Sequence, residues 1–288
     1  MLDVIVVFNH PFPSNIPRVR SWYGPFGDVT VVTPVDGGGD VQYDTGSFLW
    51  QSAVVAALRS VPRRHANTLV VHDDVLLSPG LDVLGMLPGP DSALCHVNWA
   101  LAGSVLTGWG WNLRISLGWS SPMDSLFGIG TMNCGTVLRN SLVHRRRAHE
   151  IARLPEARFL RDEEEDARRP FATPLQDLLP FRDDQFAFGL PLRFGFSDYF
   201  TFPNSLAHEV EDFLARSVRC NLFCEVAIPT MLAWLGLNLV PCRDRFEDLW
   251  EAARTQLGLR TMDDVRALFA ERPDIIGIHP IKMSTFID

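Results

Sequence analysis

Apolar, β-branched runs alternate with amphipathic segments along the first part of the chain. These runs cover residues 4–8, 29–33 and 68–71, and a fourth strand-like run covers 92–97. Continuous apolar runs of this kind are typical of strands that are buried on both faces of a parallel sheet. We therefore predict βαβ units with right-handed crossovers, which place the chain in the α/β class.

Segments with helical periodicity supply most of the other predicted elements. The predicted helices cover residues 16–23, 47–61, 141–153, 205–218, 224–237, 246–256 and 262–270. Residues 196–203 have the pattern of one more strand, which a proline ends. Ser205 is the predicted N-cap of the helix that follows it. Asp263 and Asp264 begin the last helix, where acidic side chains favour the helix dipole.

The composition is that of a globular protein, and it narrows the classes of function. The chain has 288 residues, of which 47% are hydrophobic and 21% are charged. Its net charge of −8 argues against a nucleic-acid partner, because such binding depends on neutralising phosphates. We find no apolar stretch of about 18 residues and no signal-peptide pattern, so we expect no transmembrane segment and a cytoplasmic location.

The cysteines point to the same compartment. The five cysteines are Cys95, Cys134, Cys220, Cys224 and Cys242. Their number is odd and no C-x-x-C pair occurs, so neither a disulfide framework nor a zinc site is expected. We predict reduced, buried thiols.

The third apolar run ends abruptly in three polar residues, His72, Asp73 and Asp74. Ligands of open α/β sheets bind beyond the carboxyl ends of the strands. Two adjacent carboxylates repel each other unless a cation joins them, and Mg²⁺ or Mn²⁺ takes carboxylate together with phosphate oxygens. The pattern favours a metal–diphosphate site here. A structural role is the alternative, because Asp-Asp pairs also occur at 183–184 and 263–264.

The segments VIVVFN, YGPFGDVTVVTP and LVVHDDVLLSP, in this order, resemble nucleotide-sugar-dependent glycosyltransferases of the GT-A fold. In that family a strand ends in an Asp-x-Asp motif, which holds a divalent metal on the diphosphate of the donor. The segment His72-Asp73-Asp74 occupies the matching place, with histidine at the first motif position. The resemblance implies that Asp74 contacts the metal and that Asp73 meets the ribose or a water molecule on the metal.

Three further segments resemble the family in the expected order. Asn133-Cys134-Gly135 resembles an N-x-G segment that shapes the sugar and acceptor side. Phe223-Cys224-Glu225 resembles the acidic motif that supplies the catalytic base of inverting members, with Glu225 as the acid. His279 resembles a histidine that adds a metal or diphosphate contact.

The resemblance covers most of residues 4–282, and its implications for the fold are specific. It implies a GT-A-like, Rossmann-like fold with a mixed, mostly parallel central sheet flanked by helices. We expect a single domain over 1–288, with a nucleotide-binding half at 1–98 and an acceptor and catalytic half at 99–288. Mn²⁺ or Mg²⁺ is the expected cofactor.

Other polar residues are candidates for the same site. Asn9 and Asp36 follow the first two strands, at the edge where a base and ribose would lie. Lys282 is a candidate point charge for the diphosphate, and Arg18 is a candidate phosphate contact, although exposed side chains are the alternative for both. Asp198 and the pair at 183–184 rival Glu225 as the base.

The expected function is transfer of a sugar from a nucleotide diphosphate sugar to a hydroxyl or amine. The acceptor would be a small molecule, a glycan or a lipid-linked compound. One alternative is a sugar nucleotidyltransferase, although residues 8–13 do not resemble the glycine-rich basic loop of those enzymes. The other is a catalytically degenerate binder of nucleotide sugars, which His72 leaves open. The sequence also leaves inverting and retaining chemistry open, and in a retaining enzyme Glu225 would orient the donor.

Overall fold

The computed structural model describes most of the first hundred and most of the last hundred residues of the chain. The described residues are 1–9, 12–35, 37–43, 50–95, 99–100, 193–194, 197–219, 224–242, 245–248, 257–281 and 283–287. The predicted helix at 141–153 lies outside them.

A seven-stranded sheet forms the centre of the described fold. The described strands, numbered in chain order, are β1 (Leu2–Val7), β2 (Gly27–Pro34), β3 (Val41–Tyr43), β4 (Asn67–His72), β5 (Leu76–Leu77), β6 (Ser92–Cys95), β7 (Trp99–Ala100), β8 (Arg193–Phe194), β9 (Tyr199–Pro203), β10 (Asn238–Pro241), β11 (Phe246–Asp248) and β12 (Gly277–His279). The central sheet has the order β10-β6-β9-β4-β1-β2-β3. Its neighbouring strands are parallel except at β9, which runs antiparallel to β4 and β6. The predicted α/β class with a mixed, mostly parallel sheet is confirmed.

Successive side chains of β1 enter two separate apolar cores, because neighbouring residues of a strand point to opposite faces of a sheet. Val4 and Val6 belong to one core, and Ile5 and Val7 belong to the other. Burial on both faces explains why this strand appears in the sequence as an uninterrupted apolar run.

Helices pack against both faces of the sheet. The described α-helices are α1 (Ile16–Tyr23), α2 (Gln51–Ser60), α3 (Ala207–Arg219), α4 (Cys224–Trp234) and α5 (Met262–Glu271). Helices α2, α3 and α4 supply side chains to the core that contains Ile5 and Val7. Helices α1 and α5 contribute to the core that contains Val4 and Val6. None of the described helices has both the length and the apolar character needed to cross a membrane.

A second, smaller sheet with the order β11-β12-β5 contributes to the same core as α1 and α5. Two side chains of α1 donate hydrogen bonds to the segment around β5. The indole Nε1 of Trp22 donates to the carbonyl of Leu77 at 2.9 Å, and the hydroxyl of Tyr23 donates to the carbonyl of Val75 at 2.8 Å. The chain immediately after β4 is therefore attached to α1 at two residues.

The strand order reverses between β1 and β4. From β1 the chain proceeds to β2 and β3 on one side, and it then returns through α2 to β4 on the other side. The register pairs Val7 with His72, so β1 and β4 end side by side. A crevice at such a reversal point is where open α/β sheets bind ligands.

Residues 246–248 differ from the sequence prediction. The helix predicted at 246–256 is wrong at its start, where β11 pairs in parallel with β12. Phe246 stacks on Tyr199 with ring centroids 4.5 Å apart. This long-range packing overrides the local helical periodicity. Residues 249–256 lie outside the described part of the chain.

The predicted helix starts have opposite outcomes. Ser205 does not act as an N-cap, because Asn204–Leu206 form a 3₁₀ turn that leads into α3. Thr261 caps α5 instead with a reciprocal capping box: its hydroxyl accepts from the backbone N–H of Asp264, and the Asp264 carboxylate accepts from the N–H of Thr261. The predicted acidic start of this helix is confirmed.

Three of the five cysteines lie in the described part of the chain. Cys95, Cys224 and Cys242 are all free thiols with buried side chains, as predicted. Cys134 and Cys220 lie outside the described residues.

Candidate functional site

The predicted acidic residues lie at the reversal point of the sheet. Asp73 and Asp74 form the turn directly after β4, and Asn9 follows β1 at the same edge. The backbone N–H of Asp73 donates to the carbonyl of Val7 at 3.0 Å, so the turn stays attached to the end of β1. Both carboxylates are half-buried.

His279 lies between two carboxylates that come from distant parts of the chain. Its Nε2 atom lies 3.7 Å from Oδ2 of Asp74 and 3.6 Å from Oδ1 of Asp198. The side chains of His279 and Asp198 are only 13% and 14% exposed, whereas that of Asp74 is 35% exposed. The cluster is therefore buried on one side and open on the side of Asp74.

Backbone hydrogen bonds hold the three contributing segments together. The N–H of Ile281 donates to the carbonyl of Asp74 at 2.7 Å, which ties the segment after β12 to the turn after β4. The N–H of His72 donates to the carbonyl of Asp198 at 2.8 Å, which ties the start of β9 to the end of β4. These contacts involve no side chain, so the positions are set by the fold itself.

His72, the residue that departs from the Asp-x-Asp pattern, is buried. Its ring lies edge-on against Trp50 with centroids 4.2 Å apart. Its Nδ1 atom lies 3.2 Å from Nδ2 of Asn9 and 3.9 Å from Oδ1 of Asp74. Nδ1 accepts from the Asn9 amide only while it carries no proton, and in the protonated ring it faces the carboxylate of Asp74 as a positive group. His72 thus lies beneath the site, next to the polar side chains of Asn9 and Asp74.

The two aspartates of the turn differ in their pKa. Burial and the negative charge of Asp74 raise the pKa of Asp73 well above its usual range, although the backbone N–H of Asn9 opposes this shift. Burial would also raise the pKa of Asp74, but the positive charge and contact of His279 and the charge of His72 lower it further than burial raises it. Neighbouring carboxylates with such different environments are typical of functional sites.

Two buried oxygen atoms of the site accept no hydrogen bond from the part of the chain that the structure describes. Among the described residues, neither Oδ1 of Asp74 nor Oδ1 of Asn9 has a hydrogen-bond partner. A buried oxygen without a partner is costly, and its presence calls for an explanation. Carboxylate and amide oxygens are the ligands that hard divalent cations prefer, and a neutral imidazole nitrogen is a further possible ligand. The residues present therefore fit a divalent cation beside Asp74.

A pocket of about 420 Å³ opens in front of the two aspartates. It lies between the β1–α1 loop, the turn after β4 and the C-terminal segment. Its lining consists of Asn9, Phe12, Asn15, Asp73, Asp74, Ile281, Met283 and Ser284. This volume lies within the range of ligand sites, and the mixture of apolar walls and convergent polar groups is also typical of them.

Arg18 joins two walls of this pocket. Its Nη1 atom donates to Oδ1 of Asn15 at 3.2 Å and to the carbonyl of Met283 at 2.9 Å. The guanidinium thus connects the start of the chain to the C-terminal segment. Its predicted contact with phosphate stays a prediction.

The other predicted site residues have varied positions. Asp198 and His279 lie at the site, whereas Glu225 lies in the first turn of α4 and its side chain is outside the described residues. Asp36, Lys282, the segment 133–135 and the pair 183–184 also lie outside the described part of the chain.

Asp198 was a predicted candidate base, but its place beside His279 was not predicted, and neither were Asn15 and Met283 as residues of the pocket. Asp198 precedes β9, and it reaches the edge where β4 ends only because β9 runs antiparallel to β4. Asn15 and Met283 line the pocket, and Arg18 donates a hydrogen bond to each of them. For Asp198, the sequence indicated only that the residue lies near the start of the strand predicted at 196–203.

A separate acidic cluster lies at the opposite edge of the sheet. One potential ligand atom from each of Asp3, Asp28 and His65 lies within 4.8 Å of the others, next to a pocket of about 260 Å³. The Asp3 carboxylate accepts from the backbone N–H groups of Arg64 and His65 and from the Asn204 amide. These bonds give Asp3 a structural role in holding the loop before β4.

Fold and site together define an α/β protein with a polar crevice at the reversal point of its sheet, where open α/β sheets bind ligands. Comparison of the chain with family models, curated proteins and solved structures finds no match. A functional assignment therefore depends on the geometry of the crevice.

Proposed function

We propose that the protein is a metal-dependent glycosyltransferase of the GT-A-like type. It would transfer a sugar from a nucleotide diphosphate sugar to a hydroxyl or amine of an acceptor. The observation that carries the proposal is the buried Asp74 Oδ1, which has no hydrogen-bond partner among the described residues and belongs to a carboxylate that lines the crevice and lies beside His279. Such an oxygen at a strand end is suited to a cation that also binds phosphate.

The arrangement of the pocket supports a nucleotide on one side of the cation. Asn9 and Asp73 lie at the ends of β1 and β4, where hydroxyl groups of a ribose would find acceptors. The partly exposed ring of Phe12 offers an apolar face for a base. The pocket thus combines polar and apolar surfaces, as a nucleoside requires.

Asp74 and His279 are the proposed ligands of the cation. When bound, a divalent cation supplies positive charge that stabilises the diphosphate as it leaves. Asp74 is charged at neutral pH, since its pKa is below the usual range. We propose that Lys282 supplies a further positive charge to the diphosphate.

Glu225 is the proposed base of an inverting reaction. It is the second residue of α4, in a segment of the sequence that is otherwise apolar. A carboxylate at such a position would be suited to accept a proton from the acceptor. In a retaining reaction the same residue would orient the donor.

Nucleotide-sugar binding with and without Mn²⁺ tests the proposal. We expect a panel of nucleotide sugars to contain one that raises the melting temperature only with Mn²⁺, since a ligand at about a hundred times its Kd adds about 2.7 kcal/mol. Asp74→Ala should abolish the shift, and Asp91→Ala, at an exposed site, should retain it. Unchanged Mn²⁺-dependent binding in Asp74→Ala would remove Asp74 from the site.

A turnover assay separates the enzyme from a binder. Hydrolysis or transfer of the bound nucleotide sugar is expected in the presence of Mn²⁺. Binding without turnover of any donor would instead favour the catalytically degenerate alternative. Glu225→Gln should lower kcat far more than it weakens donor binding if Glu225 is the base.

A further inference from the structure

We infer that Asn15 is a specificity-determining residue of the crevice, and that it selects a base with a carbonyl group at the edge farthest from the glycosidic bond. Uracil and guanine have such a carbonyl, whereas cytosine and adenine have an amine in its place. The inference rests on the proposed function, because it assigns the base of the proposed nucleotide.

Asn15 is a polar side chain in a buried position. It is only 2% exposed, and it lines the crevice at the end of the 3₁₀ turn Pro13–Asn15. Its backbone N–H donates to the carbonyl of Phe12 at 3.0 Å, which holds Asn15 in one turn with the ring that is proposed to contact the base. Buried polar groups normally have hydrogen-bond partners, so we expect the ligand to supply one for this amide.

Arg18 fixes the orientation of the Asn15 amide. Its Nη1 atom donates to Oδ1 of Asn15 at 3.2 Å and to the carbonyl of Met283 at 2.9 Å. Because a guanidinium has donors only, the amide would lose this bond if it turned its nitrogen toward Arg18. The oxygen of the amide is therefore kept on the side of Arg18.

The nitrogen of the same amide is left for a ligand. Within the described part of the chain, Nδ2 of Asn15 has no hydrogen bond, and it is not one of the side-chain atoms there that are both buried and without a partner. The small exposed surface of Asn15 therefore includes this nitrogen, at the crevice that the residue lines. Asn15 thus offers the crevice a hydrogen-bond donor whose polarity is fixed.

The polar groups of the crevice divide into acceptors and this donor. Asp73, Asp74 and Oδ1 of Asn9 are acceptors that follow the ends of β1 and β4, so they suit the hydroxyl groups of a ribose and the proposed cation. Asn15 lies instead in the turn that follows Phe12. A base whose ribose lies at the strand ends would extend its far edge toward Asn15.

The group at that edge decides how well the base binds. A carbonyl oxygen accepts from Nδ2 of Asn15, whereas an amine places one donor against another. A buried donor that finds no acceptor weakens binding by about 5- to 150-fold. The crevice should therefore distinguish uracil from cytosine and guanine from adenine.

Isothermal titration with UDP, CDP, GDP and ADP in MnCl₂ tests the inference. We expect UDP to bind at least about tenfold more tightly than CDP, and GDP at least about tenfold more tightly than ADP. If only one pair binds, its ratio decides. Asn15→Asp can keep one oxygen on Arg18 but presents a second acceptor to the base, so it should invert the preference even if its charge weakens binding of every diphosphate. Ser14→Ala, at an exposed site of the same turn, should leave the ratios within about twofold of the parent protein.

The outcomes separate this inference from the proposed function. Equal affinities within the pairs, or a preference for CDP or ADP, overturn the inference, while Mn²⁺-dependent binding of any of these nucleotides leaves the proposed function standing. An unchanged preference in Asn15→Asp shows that Asn15 contacts another part of the ligand and also overturns the inference. If the parent protein binds none of the nucleotides, the inference and the proposed function both fail.

Thermal melting without ligand checks that each variant folds. Should Asn15→Asp not fold, Asn15→Ala removes the donor and should bring the affinities within each pair to within about twofold of each other. Retention of the parent preference in Asn15→Ala would overturn the inference.

Discussion

The Nε2 atom of His279 lies 3.7 Å from Oδ2 of Asp74, although the two residues come from opposite ends of the chain. The contact depends on strand pairing. Strand β5 begins two residues after Asp74 and runs antiparallel to β12, which ends at His279, with Leu76 opposite Ile278. The buried side chains of these two paired residues fix the register. The C-terminal strand is therefore an integral part of the site.

Arg18→Ala should weaken nucleotide binding, because Arg18 links Asn15 to the carbonyl of Met283 across the pocket. Loss of hydrogen bonds from a charged group costs about 1.5–3 kcal/mol in stability. We expect donor affinity to fall about tenfold, or about 1.4 kcal/mol. Titration of the variant with a bound nucleotide sugar measures the change.

Arg20→Ala is the matched control for this prediction. Arg20 lies on the same helix, but it pairs with Asp40 at 2.5 Å on the surface, with both side chains about 40% exposed. Exposed pairs of this kind contribute about 0–1 kcal/mol. Equal loss of nucleotide affinity in both variants would show that helix stability, and not the link to Met283, is responsible.

Asp73→Asn should stabilise the protein in the absence of divalent cations. Asp73 is half-buried next to Asp74, and the pKa of its carboxyl is raised by burial and by that charge. Two like charges about 4 Å apart repel each other by about 1 kcal/mol even in bulk water, so removing one of them should gain roughly 1 kcal/mol or more. In a domain of about 150–250 residues this raises the melting temperature by about 2–4 °C. Scanning calorimetry in EDTA measures it.

The stabilisation by Asp73→Asn should depend on pH with a defined sign. A carboxyl whose pKa is raised by folding destabilises the native state as the pH rises through that native pKa. The gain should therefore be largest at neutral pH and vanish below about 3.9, the usual pKa of aspartate. A gain that grows on acidification would contradict the raised pKa of Asp73.

Local sequence patterns were sufficient to predict the buried strands and the edge at which the acidic turn lies. β1, β4 and the second half of β2 are buried on both faces, so their apolar runs carry the signal. The antiparallel direction of β9 is different, because it depends on pairing with β4 across the fold. The strand at β11 also depends on distant partners, β12 and Tyr199.

The same distinction applies to the site. Asp73, Asp74 and His279 were identified from motif resemblance, and the structure places all three together. The position of Asp198 beside His279 follows from the direction of β9, which no local pattern encodes. The packing of His72 against Trp50 joins two segments that sequence spacing does not relate.

Cys95 and Cys242 should resist alkylation in the native protein. Burial, with the nearby Cys242 thiol, raises the pKa of Cys95 to about 12, and burial raises that of Cys242. The thiolate is the reactive form, and at pH 8 about one Cys95 in ten thousand would be ionised. Native labelling with N-ethylmaleimide, followed by unfolding and a heavy-isotope label, should give heavy label at both sites by peptide mass spectrometry. Light label at Cys95 within minutes would contradict its burial.

Asp264→Ala should destabilise the protein at neutral pH and have less effect in acid. The backbone N–H of Arg260, with the Thr261 hydroxyl and N–H, holds the pKa of Asp264 below its usual range. A carboxyl whose pKa is lowered by folding stabilises the native state above its unfolded pKa, and this contribution is lost as the pH falls through its native pKa. Urea unfolding between pH 7 and pH 3, a range of about four units around the usual aspartate pKa, measures the trend.

Asp263→Ala provides the matched control in the same helical turn, because both substitutions replace aspartate by the best helix former. Asp263 pairs only with Arg266 among the described residues, at 2.5 Å, and its side chain is 87% exposed. Asp264 instead accepts from the backbone N–H groups of both Arg260 and Thr261 at 2.8 Å, where no other described group replaces it. Thr261→Ala should cost about 1 kcal/mol, the usual loss of an N-cap. If Asp263→Ala is as destabilising as Asp264→Ala, the helix dipole and not the capping box accounts for the effect.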